Sequence, residues 1–211
     1  MPPRDLVARF VRERLLGEGR FTGDLDYLNM IRVREETVHE LLDEVLGCDS
    51  CVWVAGASLD GRFLKYAPRV SRWIEVDTQT QLDRKANLVN EGGFDRSWAK
   101  VEQRCAETLP VQDVRPGEVV VLDGVGERGG WPQVAQWLAA LVRVPGVRVV
   151  LDAPTGASAR ATGLCRVGLK QLGWALDAEY HFAEREPLIV AGGVEIASGM
   201  PALRVLCLRA P

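Results

Sequence analysis

Residues 52–77 read VWVAGASLDGRFLKYAPRVSRWIEVD. Residues 52–55 form a short apolar run, which predicts a strand buried on both faces. A turn of small residues follows at once: Gly56, Ala57 and Ser58. A second apolar run, 73–76, ends in Asp77. A strand, a tight turn, a crossover and a second strand closed by a carboxylate make half of a nucleotide-binding α/β unit. Gly56 lets a ligand approach the backbone, and Asp77 is placed to accept hydrogen bonds from ribose hydroxyls. A plain βαβ unit with an incidental acid has the same pattern, because the turn carries one glycine where a dinucleotide fingerprint has three.

The pattern continues on both sides. Leu6, Val7, Phe10, Val11, Leu15 and Leu16 recur at helical spacing over 4–17, and Gly23, Asp24, Asp26 and Asn29 predict a loop over 21–29. A helix is expected over 30–46 and another over 78–89. Residues 101–106 and 118–122 read as strands, the second ending in Asp123, followed by a loop over the crevice at 127–130. A helix over 131–142 leads through Pro145 and Gly146 to a strand at 147–151. Residues 155–161 are small and polar, 164–174 read as a helix, and 188–196 with 203–208 as a closing pair of strands. Strands alternating with helices predict an α/β, doubly wound sheet with helices on both faces and an antiparallel C-terminal hairpin. Ligands of such sheets lie beyond the carboxyl ends of the strands, which puts Gly56, Asp77 and Asp123 at one crevice.

The size of the chain, 211 residues, suits one domain with at most a small extension: a helix and loop over 1–29 and a main domain over 30–211. A net charge of −3 gives no electrostatic case for nucleic acid or an anionic membrane. No apolar run approaches the roughly 20 residues of a bilayer span. Arginines 4, 9, 12 and 14 interrupt the apolar positions of the N-terminal segment, unlike a secretory signal, so a cytoplasmic protein is expected. The five cysteines are an odd number without such a signal, which argues for reduced thiols. Cys48 and Cys51 form a C-x-x-C at a helix end and a strand start, the reverse of a redox pair at a helix N-terminus. No second such pair and no paired histidines are present to complete a zinc site, so no metal is expected.

The wording G-A-S-L-D-G-R, followed by W-I-E-V-D and then Lys85, resembles the leucine carboxyl methyltransferase family of S-adenosylmethionine (SAM)-dependent enzymes. Members carry G-A-G-L-D-T-R at the first turn and E-V-D after the second strand. The likeness covers about residues 30–155 and marks a divergent, short member. It implies a Rossmann-like methyltransferase fold with SAM as cofactor, held by Arg32, Gly56, Asp77, Asp113, Val114 and Asp123. Arg32, in I-R-V-R, matches the arginine that grips the methionine carboxylate, a task suited to a guanidinium fork. A surface arginine pairing with Glu35 or Glu36 is the structural alternative. D-V-R matches the family's D-L-R: Asp113 accepts from the adenine amine, Val114 offers its backbone N–H to the ring, and Arg115 orients the acceptor carboxylate. Without the family, D-V-R is a charged pair flanking a turn. Asp123 matches a glutamate in A-E-G-V.

The resemblance implies O-methylation of a carboxylate on a small molecule or peptide. Such an acceptor is already ionised and requires no general base, which fits a chain with two histidines, His39 and His181. No G-x-S-x-G or Walker lysine points to a hydrolase or a P-loop enzyme. A nicotinamide oxidoreductase is weakened by the missing G-x-G-x-x-G. Ser58 and Gly61 depart from the family's glycine and threonine. A protein that keeps the fold without methyl transfer, as a binding partner or another biosynthetic enzyme, is the alternative.

Overall fold

A computed structural model describes residues 25–57, 60–92, 100–125, 130–154, 156–181, 190–191, 194–195 and 203–211. The expected helix over 4–17 and the loop at 127–129 lie outside the described residues.

The first described element is a helix, α1, Leu25–Val45. It starts inside the stretch expected as a loop, so a boundary at 29/30 falls within it. Asp and Asn are favoured at helix starts as well as in turns, so the composition of this stretch does not separate the two. Strand β1, Cys51–Ala55, is buried from its second residue onward. A single helical turn, α2, Phe63–Tyr66, continues as a 3-10 turn, Ala67–Arg69, and leads to β2, Arg72–Asp77. Helix α3, Gln79–Gly92, precedes β3, Val101–Cys105. A 3-10 turn, Val111–Asp113, leads to β4, Val119–Leu122. Helix α4, Trp131–Leu141, opens with a proline in its first turn, where a missing N–H costs nothing. Strand β5, Arg148–Pro154, is followed by α5, Gly156–Ala161, and α6, Arg166–Gln171. Strand β6, Ala175–His181, and strand β9, Leu203–Arg209, complete the main sheet. Val190–Ala191 (β7) and Val194–Glu195 (β8) form a separate two-stranded ribbon.

The main sheet has seven strands in the order β3-β2-β1-β4-β5-β9-β6. Strands β1 to β5 pair in parallel, and β9 is antiparallel to both β5 and β6. The antiparallel C-terminal finish is therefore present, with a different partner from the one expected. Strand β9 pairs with 175–181, and the described residues of the apolar run at 188–196, namely 190–191 and 194–195, pair with each other in the small ribbon. The sequence ALDAEYH hides its strand, because an edge position tolerates charge and leaves Leu176 38% exposed.

Alternation along each central strand divides the core. Trp53, Val120, Leu122, Val149, Leu151, Leu206 and Leu208 meet Val134, Trp137, Leu138 and Leu141 of α4 on one face. Val52, Val54, Trp73, Val119, Val121, Val150 and Val205 meet Val38, Leu41 and Leu42 of α1, with Phe63 and Tyr66, on the other. The chain winds from β1 outward to β3, then returns to place β4 on the opposite side of β1. That reversal opens a crevice at the carboxyl ends of β1 and β4, where ligands of open α/β sheets bind.

Candidate functional site at the carboxyl edge

Three strand ends build the crevice. After β1 the backbone turns at Gly56, whose φ of 63° suits glycine. The Gly56 N–H donates to Val76 O at 2.8 Å, so the turn is pinned to β2. Asp60 and Arg62 follow, leading into α2. Asp77 ends β2, half-buried, and its Oδ1 accepts from the Thr78 N–H at 2.7 Å. Asp123 follows β4, and the next residue, Gly124 (φ 67°), donates its N–H to Asp152 Oδ1 of β5 at 2.9 Å.

These side chains form one buried charge network. Arg62 donates from Nε to both oxygens of Asp60, at 2.8 and 2.7 Å, and from Nη2 to Asp123 Oδ2 at 2.8 Å. The Arg62 backbone N–H also donates to Asp60 Oδ1, at 2.8 Å. From α1, Arg34 brings Nε within 3.0 Å of Asp123 Oδ1 and Nη1 within 3.7 Å of Asp152 Oδ2. The first of these is an ion pair without hydrogen-bond alignment, since Asp123 Oδ1 accepts no hydrogen bond. Burial pushes the Asp60 carboxyl up, but Arg62 outweighs it and holds the group at about 2. Glu35, beside Arg34 and open to solvent on one side, is raised to about 6 by loss of surrounding water and by Asp60 and Asp123. Beneath the turn, Lys85 donates to Glu75 Oε1 at 2.7 Å, and Trp73 Nε1 donates to the same oxygen at 3.1 Å. Burial drives the Glu75 carboxyl up against the pull of Lys85.

Of the residues named from the sequence, Gly56, Asp77 and Asp123 meet at this edge. Arg32 lies in α1, and its side chain is outside the described residues. Asp113, Val114 and Arg115 are placed elsewhere. Strand β3 ends at Cys105, well before Asp113, and the residues leaving it at the carboxyl edge are Ala106 and Glu107. Ala106 N–H donates to Asp77 O at 3.0 Å. The chain then crosses the α4 face of the sheet, burying Leu109 and Val114. Asp113 pairs with Arg104 at 2.9 Å, and the Arg104 guanidinium lies 4.7 Å from the centre of the Trp53 ring. The Val114 N–H, expected to meet an adenine, donates to Val111 O at 3.2 Å. Arg115 sits at the amino edge: its N–H donates to Glu118 Oε2 at 2.9 Å, just before β4 begins. Glu118 also accepts from Trp53 Nε1 at 2.7 Å. The physical reason is the missing crossover helix: a short segment spans the sheet from one edge to the other, and D-V-R lies near its far end.

Arg34, Asp60, Arg62 and Asp152 are the site residues that sequence reasoning passed over. The signals were present: an acid and a base two apart directly after the first turn, and an acid on the fifth strand. The comparison G-A-S-L-D-G-R already contained Asp60 and Arg62, as W-I-E-V-D and Lys85 contained the Glu75–Lys85 pair. The half-buried Cys51 thiol is pushed up to about 12 by burial and Glu118, which keeps it protonated and unreactive. Among the described residues no helix is long and apolar enough to cross a membrane.

No protein-family model and no curated protein matches the sequence. Solved structures do share its architecture. The N-methyltransferase NodS from Bradyrhizobium japonicum WM9 is 15% identical, with a TM-score of 0.57 over 85% of this chain and 96% of that one. Magnesium protoporphyrin IX methyltransferase (ChlM) from Synechocystis PCC 6803, solved with bound SAM, is 10% identical, with a TM-score of 0.56 over 87% and 81%. The cyclase SpnF is 12% identical, with a TM-score of 0.55 over 83% and 80%. At these identities the likeness is one of fold: a seven-stranded mixed α/β sheet of the Rossmann-like methyltransferase type.

Proposed function

We propose that this protein is a SAM-dependent methyltransferase of leucine carboxyl methyltransferase type, acting on a carboxylate of a small molecule or peptide. The observation that carries the reading is the charge at the crevice. Asp60, Asp123, Asp152 and Glu35 face Arg34 and Arg62, so carboxylates outnumber guanidiniums among the described residues there. That balance repels a pyrophosphate and suits a ligand bearing a sulfonium and an ammonium. The glycine turn at Gly56 and the carboxylate of Asp77 are the groups a nucleoside needs at these strand ends. The residues present therefore fit SAM, which when bound supplies an electrophilic methyl group to an in-line nucleophile.

The chain's own part is positioning and exclusion of water. Asp77 offers the ribose two acceptor oxygens, Gly56 admits the ligand to the backbone, and Asp123 lies where the cationic end is expected. His39 supports a base-free reaction, since its Nδ1 is tied to the buried Tyr66 hydroxyl at 3.0 Å. An ionised carboxylate acceptor asks for no proton transfer. With Arg115 at the far edge, orientation of that acceptor falls to the crevice residues.

Calorimetric titration of SAM tests the reading. Wild type binds, Asp77→Ala loses roughly 10- to 1000-fold in affinity, and Asp77→Asn loses less, because each hydrogen bond to a charged group is worth about 1.5–3 kcal/mol. No binding by wild type at millimolar SAM would favour the second reading, a methyltransferase-like protein without methyl transfer. The likeness in fold to the cyclase SpnF and the serine at position 58 support that alternative.

A further inference from the structure

We propose that the outer surface of α6, with the C-terminal ends of α4 and α5 beside it, docks an acidic segment of a partner protein, one that carries carboxylates around apolar side chains. This surface belongs to the β9–β6 end of the sheet, whereas the crevice belongs to β1 and β4, so the inference stands apart from the SAM reading.

The first observation is charge. The chain carries a net charge of −3, yet between Glu127 and Asp177 its sole acid is Asp152, against Arg128, Arg143, Arg148, Arg160, Arg166 and Lys170. Asp152 is fully buried and turned towards Arg34 of α1. Arg143, Arg160, Arg166 and Lys170 are exposed. The elements that carry them form one layer. Leu169 of α6 and Trp174 after it share a core with α4, and Trp174 Nε1 donates to Leu138 O at 3.3 Å. Gly173 lies against Val142, the neighbour of Arg143. The Cys165 N–H donates to Ala159 O of α5 at 3.2 Å. The acids of neighbouring β6 are already paired, Asp177 with Arg209 and Glu179 with Arg166 and Arg204. Arg166 still leaves 69% of its side chain exposed.

The second observation is apolar exposure. Among the described residues the exposed large apolar side chains are Val167, Leu172 and Leu176, at 65%, 38% and 38%. Single exposed apolar residues are ordinary, but these three occupy one corner of the fold. Val167 lies on the same face of α6 as Lys170, three residues on, and next to Arg166. Leu176 pairs with Leu208 across the sheet and so stands on the α4 face, the side that α6 covers. An apolar centre with a cationic rim is the anatomy of a protein interface.

Charge complementarity selects the occupant. Cations without exposed acids among them repel a basic partner and attract an acidic one. Three of the four exposed cations are arginines, whose planar forks match carboxylates and which are enriched at protein interfaces where lysine is depleted. A bilayer selects apolar groups that project from the surface, whereas Leu172 and Leu176 are more than half covered.

The probe is a synthetic amphipathic peptide of glutamate, leucine and alanine, beside the same peptide with glutamine for glutamate. Fluorescence anisotropy should show the acidic peptide bound by wild type, with affinity falling as salt rises, and the glutamine peptide bound about 10-fold more weakly or less. Arg143→Gln combined with Lys170→Gln should weaken the acidic peptide about 10-fold, and Val167→Ser should weaken it by a similar factor. Thermal melts confirm that the variants fold. Wild type that ignores the acidic peptide, or binds both peptides equally, overturns the proposal. So does binding that is unchanged in the folded variants. Sedimentation with phosphatidylglycerol vesicles that the same variants lose would assign the surface to a membrane instead. Self-association of wild type that the variants abolish would assign it to a second copy of this chain. Either result overturns the proposal.

Discussion

Lys85 has 3% of its side chain exposed and Glu75 none, so this ion pair stands in the core beneath the crevice. Removing one partner leaves a buried charge, which costs about 3–5 kcal/mol, whereas replacing both with apolar residues is often neutral. Lys85→Met should therefore lower the urea-derived stability by that amount, and Glu75→Leu combined with Lys85→Met should recover most of it. A loss below about 1 kcal/mol for the single change would show that Glu75 takes up a proton instead of standing bare. Glu35 makes a second prediction. Its carboxyl rises from 4.5 to about 6 in the fold. The native state then holds the proton more tightly than the unfolded chain, so this contribution to stability is full below pH 4.5 and is lost as pH rises through about 6. Because the group is partly open to water, the effect is modest. Thermal melts between pH 4 and 7 should fall less with rising pH in Glu35→Gln than in wild type. Asp60 acts in the opposite sense: held at about 2, it contributes above its unfolded value of 3.8, and that contribution fades as pH drops from 3.8 towards 2.

At the scale of elements, the chain from Gly56 to Asp77 does what its sequence announces. Buried runs with small residues between them leave little choice but strand, turn and strand, and the acid lands at the strand end because the run before it stops there. The turn itself is testable: Gly56 sits at φ 63°, where an L-residue costs roughly 1–2 kcal/mol. Gly56→Ala should show that loss in denaturant titration together with weaker SAM binding, and an unchanged midpoint would mean the turn relaxes freely. The segment after β3 was not legible in the same way. Local wording placed Asp113, Val114 and Arg115 near a strand end, but which edge of the sheet they reach depends on how far a helix-free crossover travels. Residues 106–118 cross the face as an irregular segment anchored by Leu109 and Val114. Arg115 consequently ends beside Glu118 at the amino edge. Arg115→Ala should leave SAM affinity and turnover within about twofold of wild type, a difference under ~0.5 kcal/mol, as surface changes away from special features usually do. A tenfold fall in turnover with normal melting would restore Arg115 to the acceptor site. Charge networks such as Arg34–Asp123–Arg62 escape sequence reading for a related reason: their members come from α1, the first turn and the residue just after the fourth strand, and only the sheet order brings them together.

For the whole molecule, the decisive strand is the last one. Strand β9 enters between β5 and β6, so the sheet is completed only when the C-terminal residues reach its interior. Strands β1, β2, β4 and β5 were readable because they are buried on both faces and mostly apolar, whereas β3, VEQRC, is a half-exposed edge strand. Beyond β5, the sequence also marks the last strand, but not its partner, since β6 is an edge strand carrying charges and pairs antiparallel with β9. Burial makes the two strands unequal in energy. Leu206 of β9 is fully buried, pairs with Leu151 and Glu179, and packs in the core on the α4 face. Leu176 of β6 is 38% exposed. Truncating a buried leucine removes its transfer free energy and leaves a cavity, about 2–5 kcal/mol together. A half-exposed edge leucine has little cavity to leave. Leu206→Ala should therefore lower the melting temperature by roughly 4–20 °C, at about 2–4 °C per kcal/mol for a chain of this size, with loss of SAM binding only where unfolding begins. Leu176→Ala should shift it by no more than about 2–4 °C, the equivalent of ~1 kcal/mol. Differential scanning calorimetry on both variants decides the matter. Equal shifts, or a second transition in Leu206→Ala at low temperature, would mean that β9 and β6 melt as a unit separate from the parallel half, and that the crevice is carried by the first five strands alone.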